Sequence, residues 1–228
     1  MFLKIIFNKL KKHLTLYSVF CNLTVLSYKN MANKHSQEKG DVRQEILDAA
    51  REMFVKEGYA NVSMRKIADK IGYSPTTIYL YFKDKSDLLH QICEESFAQL
   101  ARNIISIQNL SANSLEKLRM GMREYINFGL KHPSHYEVIF IMPIKSPVGD
   151  GYENSQGKVA FETLWNNVSD CMNDKLLKNN EIDLISQTLW AGIHGITSLL
   201  ITHCDFPFVE REKLIDNVIE TLIAGIKA

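Results

Sequence analysis

The sequence predicts an all-α fold of about nine helices, and three observations support this prediction. Apolar residues recur every three or four positions from residue 41 onward, as they do on the buried face of a helix. No segment alternates apolar and polar residues as a half-buried strand would. Only 5 prolines and 11 glycines occur in 228 residues, so long regular elements are expected. A chain of this length can bury a core, as one large domain or two small ones.

Residues 1–40 are expected to be an extension outside this fold, either disordered or an upstream translation artefact. Residues 1–30 contain five lysines and no acid, and residues 14–28 are uncharged. This stretch is shorter than the about 20 residues of a membrane-spanning helix and includes polar residues, so we expect no membrane insertion. Because a signal-peptide cleavage motif is missing and Met31 precedes a polar lead, we interpret Met31 as the start of translation.

Residues 41–87 are predicted to form a domain of three helices. A polar side chain that can accept hydrogen bonds from free helix amides stands at the expected start of each helix. A glycine ends the first two helices, and a proline follows the serine that opens the third. The expected starts are Asp41, Ser63 and Ser74, and the expected ends are Gly58, Gly72 and Phe82.

Residues 88–228 are predicted to form a second helical domain. Asp84 caps its first, long helix, and Asn113 with Glu116 opens the next helix, which ends at about Lys131. Prolines and glycines indicate a loop at residues 142–156. The remaining helices are expected at about residues 134–141, 157–178, 181–203 and 209–227.

The last two predicted helices have apolar residues on more than one face. In the helix at 181–203, Leu184, Leu199 and Ile201 lie outside the main apolar stripe, and the stripe of the final helix is equally broad. Pairing both helices with their copies in a second chain would bury this excess surface. The sequence therefore predicts a homodimer through its last two helices.

The net charge of +1 conceals an uneven distribution of charge. Residues 63–85 contain five basic and two acidic side chains, whereas residues 91–228 contain 12 basic and 17 acidic ones. A small basic segment next to an acidic body is compatible with a polyanionic partner.

Residues 63–82 read SMRKIADKIGYSPTTIYLYF, which is the pattern of a helix-turn-helix. Gly72 permits a tight turn, and the small Ala68 lets two helices cross closely. The second helix is rich in hydroxyl groups, which are typical partners of phosphates and base edges in DNA. Tyr79 and Tyr81 could instead be packing aromatics, and we favour phosphate contact for at least one of them.

Residues 46–89 resemble the DNA-binding domain of the tetracycline-repressor (TetR/AcrR) family of transcriptional regulators. The similarity includes the motifs AA-x-x-x-F, EGY, S-x-R-x-IA, the G-x-S turn, IY-x-YF and K-x-K-x-x-LL. The resemblance implies base-edge or nearby phosphate contacts at the start of the second helix and backbone contacts around it. The residues predicted to bind DNA are Ser63, Arg65, Ser74, Pro75, Thr76, Thr77, Tyr79, Tyr81 and Lys85.

A shorter resemblance covers the C-terminal part. His132-Pro133 and the run Trp190-Ala191-Gly192-Ile193-His194-Gly195 are similar to the WHG type of TetR C-terminal domain. The aromatic residues there could fill the core, but they exceed what a compact bundle needs, so we expect a ligand cavity. His194 is more often a satisfied core histidine than a ligand partner. The predicted ligand-binding residues are Phe97, Leu100, Tyr125, Phe128, Tyr136, Phe140, Phe161, Trp165, Trp190 and His194.

The expected function is that of a dimeric, cytoplasmic, ligand-responsive repressor. It would bind a pseudo-palindromic operator in double-stranded DNA and be released by a small apolar or aromatic inducer. The alternatives are a DNA-binding regulator that needs no ligand, and an enzyme that uses the C-terminal cavity. Because no nucleophile-base or paired-carboxylate arrangement is evident in the sequence, we do not expect an enzyme.

The four cysteines, Cys21, Cys93, Cys171 and Cys204, are widely spaced and form no CxxC pair. With no histidines at metal-ligand spacing, we expect no metal site, no disulfide framework and no cofactor. Each cysteine is interpreted as a buried apolar thiol in a reducing compartment.

Overall fold

The computed structural model describes residues 40–141, 154–178 and 180–228. The chain divides into two compact units, Met1–Ile46 and Leu47–Ala228. Of the first unit the structure describes only residues 40–46, which form the first turns of a helix. Of the expected extension at residues 1–40, only residue 40 is described, and it is helical; Met31, the expected start of translation, and most of the predicted loop at 142–156 lie outside the described residues. The domain boundaries at 41–87 and 88–228 stay predictions.

The described residues form nine helices and no strand, which confirms the predicted fold class. The N-terminal helices are α1 (40–57), α2 (Met64–Ile71) and α3 (Pro75–Tyr79), with a 3₁₀ turn at Tyr59–Asn61. The others are α4 (Lys85–Gln108), α5 (Ser114–Lys131), α6 (Pro133–Tyr136), α7 (Gln156–Asn173), α8 (Ile182–Thr202) and α9 (Arg211–Ile226). A π-helical segment, Glu137–Ile141, follows α6 directly.

Most of the predicted caps are confirmed. Ser63, Ser74 and Asp84 accept hydrogen bonds from the third amide of α2, α3 and α4 respectively. Each such cap typically stabilises a helix by about 1 kcal/mol. Gly58 and Gly72 have φ of 80° and 74°, in the left-handed region that favours glycine. The short helices around the turn are therefore determined by local sequence.

Three predicted helix limits are wrong. Asp41 is not an N-cap, because residue 40 is already helical. Helix α3 ends at Tyr79 instead of Phe82, since the Tyr81 and Phe82 amides both bond to the carbonyl of Ile78 in a turn. Helix α7 ends at Asn173 instead of near residue 178, because the chain reverses at Lys175, whose φ is 59°.

The segment after α7 holds the C-terminus of the chain. Leu177 forms an isolated antiparallel bridge with Lys227. The amide of Lys178 donates to the carbonyl of Ile226 at 2.9 Å, and the amide of Ala228 donates to the carbonyl of Leu176 at 3.1 Å. These backbone bonds compete with a longer α7 and explain its early end.

Helix α5 lies at the centre of the C-terminal helices and packs against α4, α7, α8 and α9. Its buried Leu118, Met122 and Ile126 belong to one apolar cluster with residues of all four neighbours. At Gly129 an added Cβ would clash with the Thr197 side chain of α8 and lie 2.8 Å from the Tyr136 ring. The close approach of α5 to α8 and α6 therefore requires glycine at this position.

Ion pairs join α5 to α9 at the surface. Arg119 donates two hydrogen bonds to Glu220, at 2.7 and 3.1 Å, and lowers the pKa of that carboxyl. Arg123 pairs with both Glu212 and Asp216. Because these side chains are partly exposed, the pairs orient α9 and contribute modestly to stability.

Helix α8 is long and apolar enough to cross a membrane by length and composition, and 33% of its most apolar window is buried. A core helix of a soluble protein passes the same test, so this is weak evidence for a membrane. Leu184 and Leu199 are 53% and 45% exposed. The outer face of α8 thus carries apolar surface that the described part of the chain leaves uncovered.

The cysteines differ in environment. Cys171 is buried, Cys93 is half-buried and Cys204 is exposed in the connection between α8 and α9. The interpretation of Cys204 as a buried thiol is wrong, because in the connection after α8 no described residue covers its side chain. Cys21 lies outside the described residues.

Candidate functional site

Helices α2 and α3 form the helix-turn-helix, and their buried faces hold them together. Ala68 and Ile78 are fully buried where the two helices pack, and Phe82 is 1% exposed behind them. The amides of Gly72 and Tyr73 both donate to the carbonyl of Ala68, which closes the turn. The packing fixes α3 and leaves its other face free to meet a partner.

The exposed face of α3 displays the predicted hydroxyl groups. Thr76 is exposed and Tyr79 is 55% exposed, whereas Pro75, Thr77 and Tyr81 are half-buried. Leu80, which the sequence did not single out, is 78% exposed at the end of the helix. A hydrophobic side chain held in water beside these hydroxyl groups suits contact with a thymine methyl group.

A serine caps the N-terminal end of each helix of the helix-turn-helix, α2 and α3. The exposed Ser63 accepts from the amide of Lys66 at 3.2 Å, and Arg65 is exposed in the first turn of α2. Ser74 accepts from the amide of Thr77 at 3.1 Å, and its hydroxyl lies 2.9 Å from the Thr77 hydroxyl. The hydroxyl groups of Ser74 and Thr77 are therefore pre-positioned by each other.

Lys85 has a structural role that the sequence did not indicate. Its ammonium group donates to the carbonyls of Tyr59 and Val62, both at 2.8 Å, and lies 4.2 Å from the centre of the Tyr59 ring. These contacts tie the first residue of α4 to the connection between α1 and α2. Since an ammonium has three N–H donors, one remains for a phosphate.

Two lysines of the basic segment are paired with acids of α1. Lys66 lies 3.1 Å from Glu57, and Lys70 lies 2.6 Å from Glu52. Hydrogen bonds from Lys56 and Lys70 lower the pKa of Glu52 to about 2. The positive charge that this surface offers a partner is therefore smaller than the sequence count suggests.

A cavity of about 590 Å³ lies among α4, α5, α7, α8 and the π-helical segment. This volume is typical of small-molecule sites. Its wall is mostly apolar, and five aromatic side chains dominate it. They are Phe97, Tyr125, Phe140, Phe161 and Trp190.

The aromatic side chains form one continuous wall. Phe140 lies at its centre, with ring centroids 5.4 Å from Phe97, 5.8 Å from Tyr125 and 6.3 Å from Trp190. Phe161 meets Trp190 edge to face at 5.9 Å. The π-helical turn after α6 places Phe140 there, together with Val138 and Ile139.

Six of the ten predicted ligand residues line this cavity, and four do not. Leu100 lines it together with the five aromatic residues. Phe128 is buried elsewhere and packs on His132, while Trp165 donates to Asp183 at 2.9 Å. The other two, Tyr136 and His194, belong to a hydrogen-bonded network behind the wall.

This network begins at the cavity wall. The indole nitrogen of Trp190 lies 3.2 Å from the Tyr125 hydroxyl, which lies 3.2 Å from both the Tyr136 hydroxyl and Nδ1 of His194. The Tyr136 hydroxyl lies 2.6 Å from the same nitrogen. Burial lowers the pKa of His194 and raises the pKa of Tyr136 to about 12. His194 thus has the partners of a satisfied core histidine.

The polar lining residues were missed by sequence reasoning. They are His90, Glu94, Ser155, Asn167 and Gln187. Glu94 precedes Phe97 by one helical turn, so the two share a face of α4. A carboxylate within the apolar stripe of a long helix was the signal that could have identified it.

A polar contact joins α4 to α6 within the electrostatic reach of Arg51 of α1. Nδ1 of His135 lies 3.0 Å from the hydroxyl of the buried Ser96. Arg51 of α1 is 5% exposed and pairs with Asp48 at 2.7 Å. Burial, followed by the charge of Arg51, lowers the pKa of His135 to about 4. The neutral imidazole is therefore the form that fits this junction.

Two family models match the chain. Residues 46–92 match "Bacterial regulatory proteins, tetR family", and residues 118–222 match "Tetracyclin repressor-like, C-terminal domain". The first match contains the helix-turn-helix. The second contains the His132-Pro133 and Trp190-to-Gly195 motifs.

Curated relatives match mainly in the N-terminal part. The HTH-type transcriptional regulator AcrR of Shigella flexneri is 44% identical over 66 residues, which are 29% of this chain and 31% of that protein. The fatty acid metabolism regulator protein of Bacillus subtilis (strain 168) is 31% identical over 91 residues, 40% of this chain and 47% of that protein. The matched stretches thus span a third to a half of these relatives.

Solved structures match over most of the chain. A TetR family transcription regulator from Marinobacter aquaeolei VT8 superposes with a TM-score of 0.71 at 19% identity, covering 84% of this chain and 98% of that one. At this identity the similarity shows the fold.

Proposed function

The chain belongs to the TetR family of bacterial transcriptional regulators, and on this premise we propose that it is a dimeric, ligand-responsive repressor. It binds a pseudo-palindromic operator through α3. A small apolar or aromatic inducer in the C-terminal cavity releases it.

One observation supports this proposal above the others: helix α4 takes part in both sites. Its first residue, Lys85, is bound to the connection that precedes the helix-turn-helix. Twelve and fifteen residues later on the same helix, Phe97 and Leu100 line the cavity. A ligand that favours a different position of α4 would therefore disfavour the DNA-binding arrangement.

The exposed apolar face of α8 supports the dimer. Leu184 and Leu199 lie on it, and only a third of the most apolar window of α8 is buried. A second copy would cover this face by packing α8 and α9 on their equivalents. Two copies of α3 would then meet half-sites about 34 Å apart, one turn of DNA.

Selection of an operator from random DNA by the purified protein tests the proposal. We expect a pseudo-palindromic sequence, bound by two chains. The double variant Thr76→Ala with Tyr79→Phe should lower the specific affinity about tenfold or more, since each lost hydrogen bond typically contributes about 0.5–1.5 kcal/mol. Ser111→Ala, which removes an exposed hydroxyl between α4 and α5, should leave the affinity unchanged.

The same assay separates the alternatives. An operator affinity that no cavity ligand lowers would support a ligand-independent regulator. Failure to select any operator, or equal affinity of the double variant and Ser111→Ala, would contradict DNA binding through α3. Chemical turnover of a bound ligand would instead support an enzyme.

A further inference from the structure

The cavity contains few groups that can be charged. Among its described lining residues, the ionisable ones are His90, Cys93, Glu94 and Tyr125, and none is a lysine or arginine. Burial raises the pKa of Cys93 to about 12 and also raises the pKa of Tyr125, so both are neutral near pH 7. His90 is exposed at the rim. Glu94 is therefore the anionic group of the described wall.

Glu94 is held at one end of the cavity. One of its oxygens accepts a hydrogen bond at 2.9 Å from the amide of Gln156, the first residue of α7. The helix end contributes about half a positive charge, which offsets only part of the full negative charge of the carboxylate. The remaining lone pairs can face a ligand.

Phe97, which belongs to the aromatic wall, follows Glu94 by about one turn of α4. The Phe97 ring packs against α7, 3.4 Å from where a Cβ on Gly157 would stand, which is ordinary van der Waals contact. The faces of aromatic rings attract cations, and the attraction increases where water is excluded. The carboxylate of Glu94 and the aromatic rings therefore both favour a positively charged ligand.

An anionic ligand would meet the opposite conditions. Its charged group would lose its hydration and meet no lysine or arginine among the described lining residues, where the one histidine, His90, is exposed. The Glu94 carboxylate would repel it at short range. A fatty acid or another organic anion is therefore the ligand class that this wall disfavours.

Given the proposed repressor function, we propose that the cavity binds a lipophilic organic cation, such as a quaternary ammonium or phosphonium ion with aromatic or alkyl groups. The cationic centre lies between the Glu94 carboxylate and the rings of Phe97 and Phe140. The hydrophobic groups fill the space towards Phe161 and Trp190.

Two probe ions of equal shape and opposite charge test this inference. Tetraphenylphosphonium and tetraphenylborate are titrated into the full chain with the background substitution Trp165→Phe, which leaves Trp190 as the single tryptophan reporter. We expect the cation to bind at least about tenfold more tightly than the anion.

Three variants identify the groups responsible. Glu94→Gln keeps an oxygen that can accept from the Gln156 amide and removes the charge, so cation affinity should fall about tenfold while anion affinity does not. Glu95→Gln makes the same charge change on the next residue, which does not line the cavity, and should change neither affinity. Phe140→Leu should weaken the cation severalfold more than the anion.

Equal or tighter binding of tetraphenylborate, no binding of tetraphenylphosphonium, or equal effects of Glu94→Gln and Glu95→Gln would overturn the ligand class. These outcomes leave the repressor proposal standing, because operator selection requires no ligand. If the unsubstituted protein binds no operator, this result would contradict the repressor proposal and leave the ligand class unaffected.

Discussion

The hydroxyl of Tyr136 lies 2.6 Å from Nδ1 of His194. The two groups share a short hydrogen bond, in which the tyrosine donates when Nε2 of the neutral imidazole carries the hydrogen and Nδ1 donates in the other tautomer. Burial lowers the pKa of His194 and thereby favours the neutral form. Tyr125 and Trp190 join this pair to the cavity wall, so the polar groups behind the aromatic rings satisfy one another.

Removing the hydroxyl of Tyr136 should destabilise the protein. Tyr136→Phe leaves Nδ1 of His194 with a weaker partner in a buried site, and we expect a loss of about 1–2 kcal/mol in the free energy of unfolding. Urea unfolding at pH 7 measures it. Tyr81→Phe, on the half-buried side chain after α3, should change stability by less than about 0.5 kcal/mol. Equal stabilities of the two variants would contradict the network.

His135 should make stability depend on pH. Its folded pKa of about 4 lies below the ordinary value of 6.5, so the unfolded chain takes up the proton first as the pH falls. Stability is therefore fully present above pH 6.5 and is lost progressively towards pH 4, by about 1–2 kcal/mol once solvent screening of the half-buried ring is taken into account. His135→Asn, which can still bond to Ser96, should reduce this loss. An unchanged pH profile of unfolding in the variant would refute the assignment.

Substitution of Gly129 should be unfavourable although it lies within a helix. Alanine normally stabilises a helix by about 1 kcal/mol relative to glycine. Here the new methyl group would meet Thr197 and the rigid, buried Tyr136 ring, and such overpacking typically costs about 1–3 kcal/mol. The net effect of Gly129→Ala is a lower melting temperature.

Gly225→Ala provides the control for this substitution. Outside its own turn of α9, no described residue lies within 4 Å of an added Cβ at Gly225. Its melting temperature should stay equal or rise. A melting temperature of Gly129→Ala above that of the unsubstituted protein would show that α5 and α8 are less closely packed than described.

Lys85 should contribute to stability as well as to DNA binding. Lys85→Met keeps most of the hydrophobic stem and removes two hydrogen bonds to the carbonyls of Tyr59 and Val62. We expect a loss of about 1–3 kcal/mol, measured by urea unfolding without DNA. Lys83→Met, at an exposed position two residues earlier, should have little effect on unfolding. Indistinguishable unfolding curves for the two variants would refute the structural role.

Local signals explain what the sequence predicted well. The serine caps of α2 and α3, and the glycines between the N-terminal helices, act within three or four residues, so their chemistry is visible in the sequence. The end of α7 was predicted wrongly for the opposite reason. It depends on backbone bonds to residues 226–228, about 50 positions away in the chain.

The lining of the cavity was predicted only in part, because it also depends on contacts between residues that are far apart in the chain. The large number of aromatic residues in the C-terminal part indicates a cavity, and six of the residues predicted to bind a ligand line it. The chain positions of Tyr136 and Phe140 did not reveal that a π-helical turn separates them, directing one to the network and the other to the wall. Nor does the sequence show that the Lys85 ammonium is bound to two carbonyls before any DNA arrives.

The length of α4 has a mechanical consequence. Between Lys85 and Phe97 the helix rises about 18 Å, at 1.5 Å per residue. A tilt of only about 6° around the aromatic end would displace the other end by roughly 2 Å over that length. Hydrogen bonds of 2.8 Å do not survive such a displacement. If an inducer acts through α4 as proposed, this helix would amplify a small angular change, and the two hydrogen bonds of Lys85 would set the threshold for the motion.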